Sequence, residues 1–516
     1  MTVDTAHAMV AELLTSFTTA TPDAQDRQYR RLVDALWDQG DVTGLAVPAA
    51  PAIIASLDKL DEGRAGALAI LLGVLAEVEF PETDGELYVA VRAGVRSYVD
   101  LIGRATGTPL VLALLYLLGH FPGDGGIITT AVAELDLADD DRTRLDRALS
   151  ALDLERPELG RVWPAPSVWA LQSDEAAHDR SWIDALSPAQ TMTNWDNDTR
   201  TVYGFAGAKA YWAVRNGATP SAVDIVPIDL GVLDRSVPDL SGAVFGRHDD
   251  ALRCPTCRGS LSYSDTSVRC APCATTYQIE GGILDLSAGV RDGVLPDGDT
   301  ADLLQRLSEL PSMGLYYEAR MRPAYLRLSG TNWGDAVTPS DEDTYIRTQL
   351  RDSEGTVLDL AAGAGRWTGV VAETVGVDRL VALDMGLPML TVLRRRLPDV
   401  PAVRATALNL PFGDATLGAI NCWNALQAFP EDAADAIAEM GRVLRPGGRL
   451  TMMTYRWDTD PVARYFQACQ FFPSRPEGHL LFDLEQLRRW LADAGFGLTD
   501  LSGPSTFVFI TAERQG

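Results

Sequence analysis

Cys254-Pro-Thr-Cys257 and Cys270-Ala-Pro-Cys273 are two CxxC pairs separated by twelve residues, in a chain of 516 residues that holds only six cysteines. A CxxC turn aims two thiolates at one point, and two such turns complete the tetrahedron that zinc prefers. Four thiolates leave no coordination position open for water, so a metal held there would be structural rather than catalytic. Arg253, Arg258 and Arg269 beside the knuckles would offset the charge of the site. The competing chemistry is a redox dithiol pair, but a redox CxxC usually occurs once, beside a βαβ unit, and not as a matched pair. Cys422 and Cys469 read as core or pocket-wall residues.

A second constellation lies further on. The apolar run Thr356–Leu360 leads directly into Ala361-Ala362-Gly363-Ala364-Gly365, and a helix-like stretch, Trp367–Thr374, follows. In this order of strand, turn and helix, glycine is needed where a ligand comes too close to the backbone for a Cβ. The next strand-like run, Arg379–Leu383, ends in Asp384, 21 residues after Gly363. A carboxylate at about that distance can accept both hydroxyls of a ribose. NAD is the obvious rival ligand to S-adenosylmethionine (SAM). Thr368 interrupts a GxGxxG pattern, and Asp359 ends the first strand, where it would repel a pyrophosphate. The same carboxylate could face the ammonium or sulfonium of SAM, so electrostatics favours the cationic ligand.

On these motifs the C-terminal region resembles the ubiquinone/menaquinone C-methyltransferase-like branch of the class I SAM methyltransferases. The resemblance runs from about Val357 to Tyr455 through VLDLAAGAGRWT, VALDMG, ALNLPFGDATLGAINCWNALQAF and MGRVLRPGGRLTMMTY. It implies that Asp359, Ala361, Gly363 and Gly365 cradle SAM, that Asp384 holds the ribose and that Met385 flanks the adenine. Thr406 stands where the family carries an Asp that meets the adenine amine, with Ala407 and Leu408 next, and Ala361 replaces the family's first loop glycine. Leu315–Pro323 resembles the segment that closes over SAM in this family, which makes Tyr317 a lid candidate, with simple packing as the alternative. Leu252–Leu286 resembles the zinc ribbons that precede some bacterial methyltransferases, an order found in ribosomal RNA guanine methyltransferases and in many small-molecule enzymes.

Methyl transfer from SAM is an in-line displacement at a sulfonium, in which the protein supplies proximity and alignment. A base is needed only when the acceptor must lose a proton early. His479, in a Pro/Gly-rich loop after the fifth strand, is the candidate base, with solvent exposure as the alternative. Tyr455 ends that strand and is placed to line an acceptor pocket. Asn424 and Gln427 follow the fourth strand, Leu417–Cys422, at the strand ends where ligands sit in open α/β sheets.

These sites must be carried by a multidomain chain. Residues 1–240 read as mainly helical, with apolar residues at helical spacing in Met9–Phe17, Tyr29–Trp37, Ile53–Leu60, Ala67–Val78 and Val111–Leu118. Ala67–Leu75 and Leu110–Leu118 read as helices buried on most sides, Ala206–Asn216 as a further helix, and the rhythm from Gly107 to Leu152 as a HEAT-like array. Trp163, Trp169, Trp182, Trp195 and Trp212 suggest a core or a domain interface. Residues 250–288 read as the four-cysteine ribbon, and 315–516 as a Rossmann-like α/β methyltransferase domain. The net charge of −27 argues against a nucleic-acid partner, which would require a basic face. No apolar run reaches the ~20 residues needed to cross a bilayer, and no basic stretch followed by an apolar one opens the chain, which suggests a cytoplasmic protein. The expectation is therefore a SAM-dependent methyltransferase with a structural zinc, acting on a small molecule such as a secondary metabolite, with the helical region available as a homo-oligomer interface. The alternatives are an rRNA or tRNA base methyltransferase, which would need a local basic groove, and a SAM-binding scaffold without catalysis.

Overall fold

The structure, a computed structural model, describes residues 3–38, 40–158, 160–161, 175–222, 229–237, 240–287, 312–471 and 477–516. Trp163 and Trp169 lie outside them. The chain forms two compact units: Met1–Trp163 with Ile183–Val223 and Asp458–His479, and Pro164–Trp182 with Asp224–Trp457 and Leu480–Gly516. The ribbon therefore belongs with the α/β unit, and the α/β stretch expected at 315–516 is interrupted by a segment that joins the helical one.

In the helical unit, Glu62–Glu77 is buried at every position from Ala65 to Ala76. A helix that is apolar all round must be enclosed. It packs against Ala46–Ile54, Glu86–Arg92, Thr108–Leu118 and Pro188–Asn216. That is a bundle about a central helix, and it replaces the expected HEAT-like stack, in which each pair would touch only its neighbours. The helix expected from Ala206 begins much earlier, at Pro188. Ser187 and Gln190 close a capping box around its first turn, and Gly217, at φ 57°, ends it. Gly204 and Gly207 on this helix let Cys469 and Phe466 approach: a Cβ at Gly207 would lie 2.2 Å from the Phe466 ring. Asp460 holds the segment that supplies those residues, accepting from Val462 N and Ala463 N at 3.1 Å and from Tyr211 Oη at 2.8 Å. No single helix among the described residues is long and apolar enough to cross a membrane.

Among the described residues the α/β unit has eleven strands: β1 Leu261–Tyr263, β2 Ser267–Cys270, β3 Thr276–Glu280, β4 Ile283–Asp285, β5 Val357–Leu360, β6 Leu380–Asp384, β7 Ala402–Arg404, β8 Leu417–Trp423, β9 Leu444–Tyr455, β10 Phe496–Ser502 and β11 Phe507–Arg514. They lie in one sheet in the order β10-β11-β9-β8-β5-β6-β7-β4-β3-β2-β1. The six from β4 to β9 pair in parallel, and antiparallel strands extend the sheet on both sides. β5 and β8 are buried at every residue, as expected of parallel strands covered on both faces. The chain runs outward from β5 through β6 to β7 and then returns to the other side of β5 with β8. That reversal places a crevice at the carboxyl ends of β5 and β8, the usual ligand position in such sheets. The ribbon is continuous with the sheet, because Ile283–Asp285 pairs with Ala402–Arg404. Gly281 and Gly282, at φ 55° and 71°, make the turn from β3 into β4. At Gly282 a Cβ would meet the guanidinium of the buried Arg394 at 2.7 Å.

Candidate functional site

A cavity of about 610 Å³ opens at the carboxyl ends of β5, β6 and β8, within the ~300–1,000 Å³ of typical small-molecule sites. Its wall contains Tyr317, Ala361, Gly363, Asp384, Met385, Thr406, Ala407, Leu408 and Asn424, nine of the residues singled out from sequence. Each is there for a local reason. After β5 the chain turns through Ala361 at φ 56° and Gly363 at φ 55°, left-handed conformations that favour glycine. A Cβ built on Gly363 meets no protein atom within 4 Å, so the loop presents bare backbone to open space. Asp384 ends β6 and accepts from Gly363 N at 2.8 Å and Gly386 N at 2.7 Å, one on each oxygen. Each oxygen keeps a lone pair for a ligand hydroxyl. Burial holds the Asp384 carboxyl above its ordinary range.

Five of the expected site residues do not line this cavity, among them Gln427, which is buried and donates to Asn424 instead. Asp359 is 2 % exposed and lies beneath the glycine loop, accepting from Thr368 Oγ1 at 2.5 Å and Asn421 Nδ2 at 2.7 Å. Burial raises its pKa to about 6. It sits on a strand that is covered on both faces, so its partners are protein groups, and Thr368, which broke the glycine pattern, is one of them. Gly365, at φ 91°, serves packing: a Cβ there would lie 3.0 Å from Leu393 Cγ. Tyr455 is fully buried behind the wall and donates to Asn424 Oδ1 at 2.8 Å. His479 lies in the helical unit, buried rather than exposed, with its backbone N–H on Ala468 O at 2.8 Å. The chain leaves the α/β unit at Trp457 and returns at Leu480, so His479 is part of the helical unit.

The wall facing the glycine loop is assembled from long-range contacts. Asn424, at φ 58°, receives Tyr455 Oη and Gln427 Nε2 on Oδ1, both at 2.8 Å, and donates from Nδ2 to Tyr317 Oη at 3.0 Å. The donor sequence has one direction: with its oxygen occupied by Asn424, the Tyr317 hydroxyl keeps its proton to donate. Burial raises the pKa of Tyr317, which keeps that proton in place. Two residues absent from the expected site, Trp367 and Trp423, also line the cavity. Trp423 Nε1 donates to Glu342 at 2.6 Å, Arg322 donates to both oxygens of Glu342 at 2.6 Å, and the Arg322 guanidinium lies 4.3 Å above the Trp367 ring. Arg322 and Glu342 are distant in sequence from the glycine motif, and no local spacing marks them.

The four cysteines converge, with their Sγ atoms all within 4.8 Å of one another. Arg258 and Ala274, the residues after each CxxC pair, share the same left-handed turn, at φ 60° and 61°. Each closes its knuckle through a backbone bond, Arg258 N to Cys254 O at 2.8 Å and Ala274 N to Cys270 O at 3.0 Å. Two matched turns presenting four sulfurs fit the donor set of a tetrahedral metal. Of the arginines expected to offset thiolate charge, Arg258 donates to Leu410 O and Asn409 Oδ1 and pairs with Glu439 at 3.6 Å, and Arg253 donates to the backbone carbonyls of Asp249, Asp250 and Leu252.

Residues 357–448 match the methyltransferase domain family. A demethylmenaquinone methyltransferase of Paenarthrobacter aurescens is 34 % identical over 164 residues, 28 % of this chain and 63 % of that protein. An uncharacterised methyltransferase of Mycobacterium tuberculosis is 42 % identical over 106 residues, 20 % of this chain and 40 % of that protein. The chain thus spans less than two thirds of the length of these relatives. Among solved structures, a putative methyltransferase of Bacillus halodurans is 19 % identical, with a TM-score of 0.29 over 34 % of this chain and 100 % of that one. The glycine loop and the carboxylate that closes on it lie at and around residues 357–448, the stretch that matches a methyltransferase domain and is similar to the demethylmenaquinone methyltransferases.

Proposed function

We propose that the whole chain is a SAM-dependent methyltransferase that alkylates a small, largely apolar molecule. The observation that carries this reading is the open backbone at Gly363 beside the two free lone pairs of Asp384. Bound there, SAM would supply an electrophilic methyl group. The loop Ala361–Gly363 would take its methionine end, Asp384 its ribose, and Met385 with Thr406–Leu408 its adenine. The aromatic wall of Tyr317, Trp367, Trp423 and Phe429 would exclude water and hold an apolar acceptor in line. Trp367 Nε1 is buried without a hydrogen-bond partner and is a donor left over for a bound polar atom. Among the described residues no histidine lines the cavity, which suits an acceptor that needs alignment more than deprotonation. The demethylmenaquinone methyltransferases among the relatives support a small-molecule acceptor. We assign the four cysteines a structural zinc.

Titration calorimetry of the full chain with SAM and S-adenosylhomocysteine tests the cofactor site. Both should bind, and Asp384→Ala should weaken binding by about 10- to 100-fold, the loss of one or two hydrogen bonds to a charged group. Transfer of labelled methyl from SAM into an apolar extract fraction then tests the acceptor class. A metal-loaded protein with no affinity for either nucleoside would overturn the proposal.

A further inference from the structure

The first cysteine knuckle grips the segment that follows the adenine-side wall of the cavity. Asn409 comes directly after Thr406–Leu408. Its Nδ2 donates to Pro255 O, inside the knuckle, at 3.1 Å, and its Oδ1 receives Arg258 Nη2 at 2.6 Å. The other Arg258 Nη donates to Leu410 O. Arg253 N donates to Pro411 O at 2.9 Å and Gly413 N to Ala251 O at 2.8 Å, so main chain adds to the side-chain grip. Leu410 N also donates to Glu439 at 2.8 Å, Arg442 donates to Leu410 O at 3.0 Å, and Glu439 pairs with Arg258 at 3.6 Å. The loop is thus fixed at Asn409 and Leu410, one residue beyond the cavity wall.

We infer that the metal-bound first knuckle sets the adenine-side wall through Arg258 and Asn409, so that metal occupancy and cofactor affinity are linked. The inference rests on the proposed SAM site and the proposed metal centre, and it adds a function for the ribbon in the site itself. Arg258 adopts a left-handed backbone that its side chain disfavours, and the closed CxxC turn holds it there. Sulfur ligation at Cys254 and Cys257 would pin that turn. An opened turn would free Arg258 and Pro255, release Asn409 and leave Thr406–Leu408 to be ordered at the expense of ligand binding. Linkage makes the effect reciprocal: bound nucleoside must strengthen metal retention by the same factor. Arg258 and Asn409 are positioning residues here, since neither lines the cavity.

The test uses the full chain and two readouts, bound zinc per chain and the dissociation constant of S-adenosylhomocysteine. With zinc retained, Arg258→Ala and Asn409→Ala should each weaken nucleoside binding by about tenfold, the usual size of an outer-shell or coupling effect. Their double variant should be less than additive, because the two share the Arg258–Asn409 contact, although each also has a bond of its own, Arg258 to Leu410 O and Asn409 to Pro255 O. Chelation should weaken the wild type at least as much and the Arg258→Ala protein far less, a non-additivity that general destabilisation would not produce. If stripping the metal unfolds the chain, the zinc-retaining variants decide the matter alone. Wild-type affinity in both variants would overturn the linkage while leaving the SAM site and the metal intact. A loaded wild type that binds no nucleoside would remove the SAM site, a purified chain that never holds metal would remove the zinc, and either would take the linkage with it.

Discussion

On one side of the cavity, Ala361, Gly363, Asp384 and Met385 come from two adjacent strands and the turns after them. On the other, Tyr317, Trp367, Trp423 and Asn424 are set by Arg322, Glu342 and Tyr455, and no two of those three positioning residues share an element. The first side is held by backbone geometry and one carboxylate. The second is held by a buried ion pair and a chain of oriented hydrogen bonds. The difference teaches where each is fragile: the glycine loop should respond to changes of conformation and charge at single positions, and the facing wall to the loss of any one partner.

The comparison breaks most readily at Glu342, which is fully buried. Glu342→Ala strands the Arg322 charge and the Trp423 N–H, and should cost about 3–5 kcal/mol in urea unfolding. A cost near zero would mean that the aromatic wall stands without its ion pair. On the loop side the corresponding test is pH. The folded pKa of Asp359, about 6, lies above the unfolded value, so its contribution to stability is fully present below about pH 4 and lost as pH rises through 6. Asp359→Asn keeps partners for Thr368 and Asn421 without the charge. Relative to wild type, it should therefore gain up to about 3 kcal/mol in stability between pH 4 and 7, seen in parallel melting series. Tyr455→Phe removes one donor from Asn424 but leaves Gln427. It should cost about 1.5 kcal/mol in stability while changing affinity for S-adenosylhomocysteine by less than about threefold, since Tyr455 lies behind the wall. The smallest effect is at Ala361, where an L side chain sits at φ 56°. Ala361→Gly should raise stability by about 1 kcal/mol, the usual penalty for a left-handed non-glycine residue. No gain there would show that the loop's strain is offset locally.

Much of the loop side is legible in the order of the amino acids. Gly363 and Asp384 are identifiable because their spacing records one strand, one turn and one crossover, and the knuckles because a CxxC turn is local. The start of the long helix at Pro188 is legible too, through the Ser187–Gln190 capping box, but the polar stretch that follows it hides its apolar face. Local reasoning misplaces Asp359, Tyr455 and His479 for a shared reason: it assigns each by its position along a strand or loop. Whether a side chain faces a cavity depends on what covers it. Asp359 is covered by Thr368 and Asn421, Tyr455 lies buried with its hydroxyl on the Asn424 side chain, and His479 is buried within the helical unit.

Sequence alone determined the elements whose partners are neighbours in the chain: the strand–glycine–strand frame around Gly363, the carboxylate that closes it, and the paired knuckles. Tertiary structure decided which polar groups reach the cavity, that the ribbon extends the sheet through Ile283–Asp285, and that Asp458–His479 belongs to the helices. The physical reason is range. Hydrophobic period and turn chemistry act over a few residues and leave their mark in local composition. Register across a sheet, burial of an ion pair and the choice of docking surface are settled by residues far apart in the chain, through packing that no local pattern encodes.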